Sequence, residues 1–229
     1  MLSKSDETYT ITVKWTFTTK EGKEIYTELT FSILNNIDNS RNILCLIKNL
    51  NEIMEYNTEI KTLKEYAYKD TLCGIYNRRY FMERINIIGQ NTLKNNNTSS
   101  IAVSLFDIDN FKLINDNYGH DCGDYVLYTI AQISNNILSN YGVFARFGGE
   151  EFISYIIGKT KQENFDIADK IRKEIKKFNF TYQKFSFKVT VSIGIYYGST
   201  LDYYITMIKE ADAKLYLAKS SGKNSVQIN

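Results

Sequence analysis

The chain has 229 residues, enough for one full domain and a smaller piece, and its hydrophobic share of 43% suffices for a buried core. Lys and Arg number 28 against 26 Asp and Glu, so the net charge of +2 excludes the basic surface that binds polymeric nucleic acid. Cys45, Cys73 and Cys122 form no CxxC pair, which excludes a disulfide framework and a zinc site and indicates a reduced, cytoplasmic protein. No apolar run reaches the roughly 18 residues of a membrane helix, and the first residues lack a signal-peptide layout.

The first fifty residues predict a small β-sheet. Two runs of alternating apolar and polar residues lie between residues 8 and 34, and the Gly-bearing turn at residues 20–23 that joins them is typical of a hairpin. A third apolar stretch at residues 42–49 completes a meander. Because an isolated sheet of this size is marginal in water, its apolar face should need cover from a partner chain or from residues outside this chain.

Residues 51–70 have a helical pattern. Ile53, Tyr56, Ile60, Leu63 and Ala67 are spaced 3, 4, 3 and 4 apart, which is the seam of a short coiled coil. The same spacing is compatible with a single amphipathic linker helix that packs on its own chain. Both interpretations stay open at this point.

Residues 70–229 alternate between predicted helices and strands, which favours one mixed sheet covered by helices. The predicted helices are residues 77–94, 123–139, 162–178 and 203–221. The predicted strands are residues 101–107, 143–147, 152–157, 185–197 and 225–228.

Two groups of carboxylates follow or join predicted strands. Asp107 ends a buried apolar strand, at the sheet edge where open sheets place their ligands, and such carboxylates can hold Mg²⁺. Alternatively, Asp109 caps the next helical turn and Asp107 is solvated. Glu150 and Glu151 follow the Gly-Gly turn of a hairpin, where neighbouring acids repel each other unless a cation lies there. Solvated glutamates on an exposed hairpin are the alternative.

Two further polar groups allow a functional or a structural interpretation. The segment after the strand that ends at Asp107 comprises a loop and the start of a helix, and it contains Asn115, Asp116, Gly119, His120, Gly123 and Asp124. Its polar side chains can hydrogen-bond to a purine edge, or they can stabilise the turn and cap the helix. Lys219 and Lys223 are four residues apart, so they are predicted on one face at the end of a helix. There they can bind a polyphosphate or complement the helix dipole.

The order and spacing of these groups resemble the GGDEF family of diguanylate cyclases across residues 70–229. The segments that carry the resemblance are DTLCGIYNRR from Asp70, FDIDNFKLINDNYGHDCGD from Phe106, ARFGGEEF from Ala145, VTVSIGIYYG from Val189 and ADAKLYLAKSSGKN from Ala211. Cys73 stands where the family usually has Thr, and Lys223 where it commonly has Arg. The first fifty residues resemble the last three strands of a PAS sensor domain. We therefore expect a partial PAS-like segment at residues 1–50, a linker helix at 51–69 and a GGDEF catalytic domain at 70–229.

The resemblance implies an α+β fold, with a palm-like, mostly antiparallel sheet wrapped by helices and preceded by the meander and the connecting helix. It implies GTP as substrate and Mg²⁺ as cofactor, with Mn²⁺ as the alternative ion. Asp107, the carbonyl of Ile108 and Glu150 would hold the metal, and Glu151 and Lys112 would complete the catalytic group. Asn115 and Asp124 would bind guanine, whereas Lys112, Lys219, Lys223 and the amides around Phe111 would bind the triphosphate.

The resemblance also implies that two copies cooperate. Each domain would hold one GTP, so two domains must face each other to form cyclic di-GMP, which favours a homodimer through the linker helix. Asp124 predicts GTP over ATP, because relatives that make mixed dinucleotides tend to have Ser there. Ser139 and Gly142 occupy the positions of the family's RxxD product-inhibition motif, so we expect no feedback through that site. A GTP- or cyclic di-GMP-binding module without turnover is the alternative function.

Overall fold

The computed structural model describes residues 10–35, 41–95 and 98–229 and divides the chain into two compact units, with the division between Glu65 and Tyr66. Residues 8 and 9 of the first predicted strand lie outside the described residues. In the described ranges, the structure has no helix long and apolar enough to cross a membrane.

The N-terminal unit is a three-stranded antiparallel meander followed by a helix. Its elements are β1 Thr10–Thr18, β2 Glu24–Asn35, β3 Arg41–Asn49 and α1 Asn51–Tyr68, the last of which runs past the unit boundary. In β1 and in most of β2 the alternating sequence places apolar side chains on one face, as predicted, whereas β3 has apolar side chains on both faces. The Asn51 side chain fixes the start of α1 to β2, since it accepts from the Tyr26 amide at 2.7 Å and donates to the Glu24 carbonyl at 3.1 Å.

In the part of the chain that the structure describes, the C-terminal unit has a central sheet, a small hairpin and five helices. The strands are β4 Tyr76–Asn77, β5 Ser100–Ile108, β6 Gly142–Gly148, β7 Glu151–Ile157, β8 Phe180–Tyr182, β9 Phe185–Phe187, β10 Val191–Ser199 and β11 Val226–Ile228. The helices are α2 Arg78–Asn95, α3 Phe111–Tyr118, α4 His120–Leu138, α5 Lys161–Lys177 and α6 Tyr204–Ser220.

The central sheet has the order β11-β10-β5-β7-β6-β4 and is antiparallel except at its two outer pairs. Alternate residues of β5 face two separate cores: Phe106 packs on the side of α4 and α5, and Leu105 packs on the side of α2 and α6. Burial on both faces explains why β5 reads as a continuous apolar run. The predicted α+β fold, with a mostly antiparallel sheet wrapped by helices, is confirmed.

Two predicted elements differ from the structure. The predicted strand at residues 185–197 is divided into β9 and β10 by residues 188–190, where Lys188 donates from Nζ to the carbonyls of Lys177 and Phe178 at 2.6 and 3.2 Å. Residues 111–118, predicted as a loop, form α3. The apolar–polar alternation continues across the division between β9 and β10, so the sequence predicts one strand there. Helix α3 has only eight residues, which is too short to show a clear helical period.

Candidate functional site

Asp107 and Glu151 lie side by side at the rim of the sheet. They are directly paired residues of the neighbouring strands β5 and β7, so their side chains leave the same face. Glu150 immediately precedes Glu151 in the turn after β6. The structure thus brings together the two carboxylate groups that the sequence places more than forty residues apart.

Electrostatics at this rim favour a cation. Burial raises the pKa of Asp107, which is 6% exposed, and the charge of Glu150 raises it further, while Lys219 opposes both effects. Burial and the nearby Asp107 likewise raise the pKa of Glu151. Lys219 Nζ lies 2.7 Å from Asp107 Oδ2 and is the cation that the structure places on this cluster. Because burial and neighbouring acids disfavour the ionised forms of Asp107 and Glu151, added positive charge is stabilising at this site.

Arg146, whose role is not apparent from the sequence motifs, holds the turn that carries Glu150. Gly149 has φ 51°, in the left-handed region that favours glycine. The Arg146 guanidinium donates to the Gly149 carbonyl from Nε at 3.0 Å and from Nη2 at 2.8 Å, and pairs with Asp70 at 3.3 Å. Asp70 in turn accepts from the Cys73 amide at 2.8 Å. The first motif of the domain therefore positions the Gly-Gly turn, although more than seventy residues separate them.

Asp107 and Asp109 differ in environment although they are two residues apart. The Asp109 carboxylate is buried and accepts from the Thr190 and Ser192 hydroxyls, both at 2.7 Å, and from the Asn224 amide at 2.9 Å. The alternative in which Asp109 caps a helix and Asp107 is solvated is wrong on both counts, because no side chain caps α3 and Asp107 is buried. Asp109 instead joins β10 to the loop after α6.

That loop changes the predicted position of Lys223. Helix α6 ends at Ser220, so Lys223 does not share a helix face with Lys219. Gly222, Lys223 and Asn224 all have positive φ, at 106°, 64° and 45°. Lys223 Nζ donates to Asn110 Oδ1 at 2.5 Å, and Asn110 itself has φ 59°. Left-handed non-glycine residues on both sides of this contact mark a locally strained segment beside the carboxylates.

Helices α3 and α4 carry the remaining predicted residues. Phe111 is buried at the start of α3, Lys112 is exposed beside it, and Asn115 lies one turn later on the helix rather than on a loop. A Cβ atom at Gly123 would overlap Asn115 Oδ1, so glycine gives this amide its room. Asp124 follows Gly123 and is exposed. The structure therefore brings Asn115 next to the residue that precedes Asp124.

The donor set at the rim fits a hard divalent ion with few protein ligands. In residues 10–35, 41–95 and 98–229, no three His, Cys, Asp or Glu side chains form a metal site by themselves. Asp107 and Glu150 offer oxygen ligands, which Mg²⁺ prefers, and Mg²⁺ commonly binds through one or two carboxylates together with substrate phosphates. The buried, cation-paired carboxylate of Asp107 is therefore compatible with such an ion.

Comparison with known proteins agrees with these motifs. The family described as "Diguanylate cyclase, GGDEF domain" matches residues 67–225. The chain is 36% identical over 188 residues to probable diguanylate cyclase DgcF of Escherichia coli K12, covering 79% of this chain and 58% of that protein. The chain spans about half the length of the curated relatives it matches.

Solved structures of this family superpose on most of the chain. The coiled coil and GGDEF domain of DgcB from Caulobacter crescentus, in complex with c-di-GMP, has a TM-score of 0.72 at 23% identity and covers 78% of this chain and 94% of its own. The active GGEEF domain of a diguanylate cyclase from Vibrio cholerae has a TM-score of 0.60 at 29% identity, and the match covers 66% of this chain and 96% of that domain's chain. With a family match over more than half of its length, the chain belongs to the GGDEF family of diguanylate cyclase domains.

Proposed function

We propose that this protein is a diguanylate cyclase that condenses two GTP molecules into cyclic di-GMP and two pyrophosphates. The observation that carries the proposal is the convergence of Asp107, Glu150 and Glu151 at one rim of the sheet, beside Lys219. One buried and two half-buried acids that face a cation can hold a metal-bound triphosphate. A domain that only bound nucleotide, without turnover, would not need these neighbouring carboxylates, whose mutual repulsion destabilises the fold.

Asp107, the Ile108 carbonyl and Glu150 are proposed to hold Mg²⁺. When bound there, Mg²⁺ would supply Lewis-acid chemistry, making a 3′-hydroxyl more acidic and neutralising the leaving pyrophosphate. Glu151, paired with Asp107 across the strands, would add negative charge that retains the cation. Burial of Asp107 supports this assignment, because a desolvated carboxylate binds an opposite charge more strongly than a solvated one.

The triphosphate is proposed to lie between α3 and the end of α6. Lys219 and Lys223 bring two positive charges towards β5, one through Asp107 and the other through Asn110. Lys112 adds a third charge from the first turn of α3, beside the backbone amides around Phe111. Lys has a compact charge rather than the planar fork of Arg, so Lys223 would bind phosphate without bidentate geometry.

Guanine is proposed to bind to Asn115 and Asp124. The amide and the carboxylate offer donors and acceptors for the purine edge. Gly123 in the first turn of α4 supports the assignment, because any side chain at position 123 would displace the Asn115 amide.

Two such half-sites must meet for the ring to close, and we propose a homodimer through α1 as the means. The seam residues Ile53, Tyr56 and Leu63 are 44%, 65% and 59% exposed in the single chain, which leaves them available to a second helix. The partial PAS-like segment at residues 1–50, the linker at 51–69 and the catalytic domain at 70–229 complete the proposed organisation. The unit division inside α1 is compatible with a linker at this place.

The direct test incubates the purified protein with GTP and Mg²⁺ at several protein concentrations and identifies the products by chromatography and mass spectrometry. We expect cyclic di-GMP and pyrophosphate, with activity per molecule that rises with concentration until the dimer is saturated. Removal of the metal with EDTA should stop the reaction. GTP that is bound but never converted, with both nucleotide and metal in excess, would instead support the binding module.

The base specificity is expected to be for guanine alone. With equimolar GTP and ATP, the products should contain cyclic di-GMP and no mixed adenine–guanine dinucleotide, because Asp124 can accept from the guanine N1 and N2 donors that adenine lacks. Separation of the products by mass settles the matter, and a substantial yield of mixed dinucleotide contradicts the assignment of Asp124.

The product is expected not to inhibit through the turn before β6. Gly142 stands where the family motif has its carboxylate, and a Cβ there would overlap the Tyr155 carbonyl oxygen. Position 142 therefore has no room for an acidic side chain without displacing β7. Preincubation with micromolar cyclic di-GMP should leave the initial rate within about twofold of the untreated rate. Tight product binding that disappears when Ser139 and Gly142 are substituted contradicts this prediction.

A further inference from the structure

The three-stranded N-terminal sheet has two unlike faces. Paired residues of neighbouring strands share a face, and the register therefore assigns one set of side chains to what we call the apolar face. This face consists of Ile11, Val13, Trp15, Phe17, Ile25, Thr27, Leu29, Phe31, Ile33, Ile43, Cys45, Ile47 and Asn49. Among the paired residues that the structure describes, Arg41 at the end of β3 is the only charged one on this side. The opposite face has threonines, the charged row Lys14, Glu28 and Lys48, and three exposed apolar side chains, Tyr26, Leu44 and Leu46.

Most large side chains of the apolar face are exposed to solvent in the single chain. Seven of its large side chains are between 36% and 71% exposed, namely Ile11, Val13, Trp15, Phe17, Ile33, Ile43 and Ile47. Their exposed area is on the order of 800 Å², larger than the patches that soluble monomers usually tolerate. A three-stranded sheet with one face uncovered is also marginally stable by itself. Both facts require a partner surface.

The chemical character of the apolar face indicates which kind of surface covers it. A charged partner would find almost no complementary group on the apolar face. An identical face has the matching shape and hydrophobicity, and two sheets pack at about 10 Å with interdigitated side chains. Two copies together would bury roughly 1,600 Å², the size of a standard stable interface.

We infer that the apolar face is a homodimer interface, in which two N-terminal sheets pack face to face as a β-sandwich. The inference deepens the proposed function, since it supplies the second copy that ring closure requires. It places the main dimer contact on the sheet and not only on the α1 seam. The free energy would come from removing apolar area from water, with little contribution from charge.

Two native reporters lie on this face. Trp15 is the only tryptophan of the chain. Cys45 is exposed, whereas Cys73 and Cys122 are buried, and burial raises the pKa of Cys73 to about 12. Tryptophan emission and thiol labelling of the unmodified protein therefore both report on the apolar face.

The experiment combines sedimentation equilibrium with both reporters over a concentration series. We expect a dimer whose Trp15 emission is shifted to the blue and protected from acrylamide, and whose Cys45 reacts at least tenfold more slowly than in the dilute monomer. Ile47→Glu should give a monomer with an accessible tryptophan. Leu46→Glu, at the next residue and on the opposite face, is the matched control and should remain dimeric.

Several outcomes overturn the inference. These are a dimer with quencher-accessible Trp15 and reactive Cys45, a monomer in which both reporters are protected, or equal dimerisation of the Ile47→Glu and Leu46→Glu proteins. The reporters in the wild-type protein keep the test valid even if Ile47→Glu unfolds the sheet. Because no step measures turnover, failure of this dimer is distinguishable from failure of the proposed catalysis.

A second and independent observation concerns Lys219. Its Nζ is 2.7 Å from Asp107 Oδ2, and the Asp107 side chain is 8% exposed, so one buried oxygen already has a positive partner. Two cations on one carboxylate oxygen repel each other strongly in a partly desolvated site. The geometry points to Lys219 as a placeholder that competes with the divalent ion and is released towards the triphosphate when that ion binds. This inference rests on the proposed metal site.

Direct Mn²⁺ binding without nucleotide, followed by electron paramagnetic resonance, tests the competition. Lys219→Met should bind Mn²⁺ about tenfold more tightly than the wild type, whereas Lys219→Arg should not differ from it. Lys223→Met removes a nearby charge that contacts Asn110 instead of Asp107, so it controls for net charge. Equal gains in Lys219→Met and Lys223→Met, or no gain in either, overturn the placeholder role. Absence of Mn²⁺ binding in every protein removes the metal site and this inference together.

Discussion

Glu150→Ala is expected to lower the rate of cyclic di-GMP formation by at least about 1,000-fold, because a bound Lewis acid contributes several kcal/mol to such a displacement and each 1.4 kcal/mol is a factor of ten. Glu150 lies in the turn between β6 and β7, where Arg146 holds the Gly149 carbonyl without help from the glutamate side chain. The fold should therefore survive, with a free energy of unfolding within about 1 kcal/mol of the wild type.

The rate is measured from pyrophosphate release and the stability from urea unfolding of the same preparation. Glu174→Ala is the matched control, since it removes an exposed glutamate from α5, on the other side of the sheet, and should leave both quantities unchanged. A Glu150→Ala protein that keeps more than a tenth of the wild-type rate would remove Glu150 from the proposed metal site.

Asp109→Ala is expected to destabilise the fold by about 3–5 kcal/mol, whereas Asp107→Ala is not. Removal of the Asp109 carboxylate leaves the Thr190 and Ser192 hydroxyls and the Asn224 amide without their acceptor in a buried position. Asp107 has one ion pair with the partly exposed Lys219 and several acidic neighbours, so its loss also relieves repulsion. Because the Lys219 ammonium is partly exposed and can be solvated by water, removal of Asp107 should change the stability by less than about 1 kcal/mol.

Urea unfolding of the two variants, with tyrosine fluorescence and circular dichroism as probes, gives the comparison. Both variants should lose turnover, Asp107→Ala through the metal and Asp109→Ala through the loop that holds Lys223. Equal stability of the two proteins, or a larger loss for Asp107→Ala, would mean that the structural and functional roles of these aspartates are reversed.

The sequence predicted most of the architecture because the signals were local. Alternation predicted the meander, the apolar run predicted β5, and the helical period predicted α5 and α6 within about two residues. The Gly-Gly turn and its glutamates were read from residues that are adjacent in the chain. These features depend on backbone preferences and on which face is buried, and a few consecutive residues of the sequence indicate both.

Pairing between distant segments could not be read in the same way. No local pattern distinguishes Asp107 from Asp109, since both follow an apolar strand. The difference arises because the Ser192 hydroxyl of β10 and the Asn224 amide of the loop after α6 donate to Asp109, whereas Lys219 pairs with Asp107. The role of Arg146 likewise depends on Asp70, and the room for Asn115 depends on Gly123 in the following helix.

By itself, the sequence determined the α+β class, the order of the elements and the chemical groups available to the site. Only the tertiary structure decided which carboxylate is buried for stability and which faces Lys219, that Lys223 lies beyond its helix, and that one face of the N-terminal sheet is left bare. The physical reason is that a hydrogen bond, an ion pair or a buried area between distant residues depends on where the sheet places them, which no window of the sequence records.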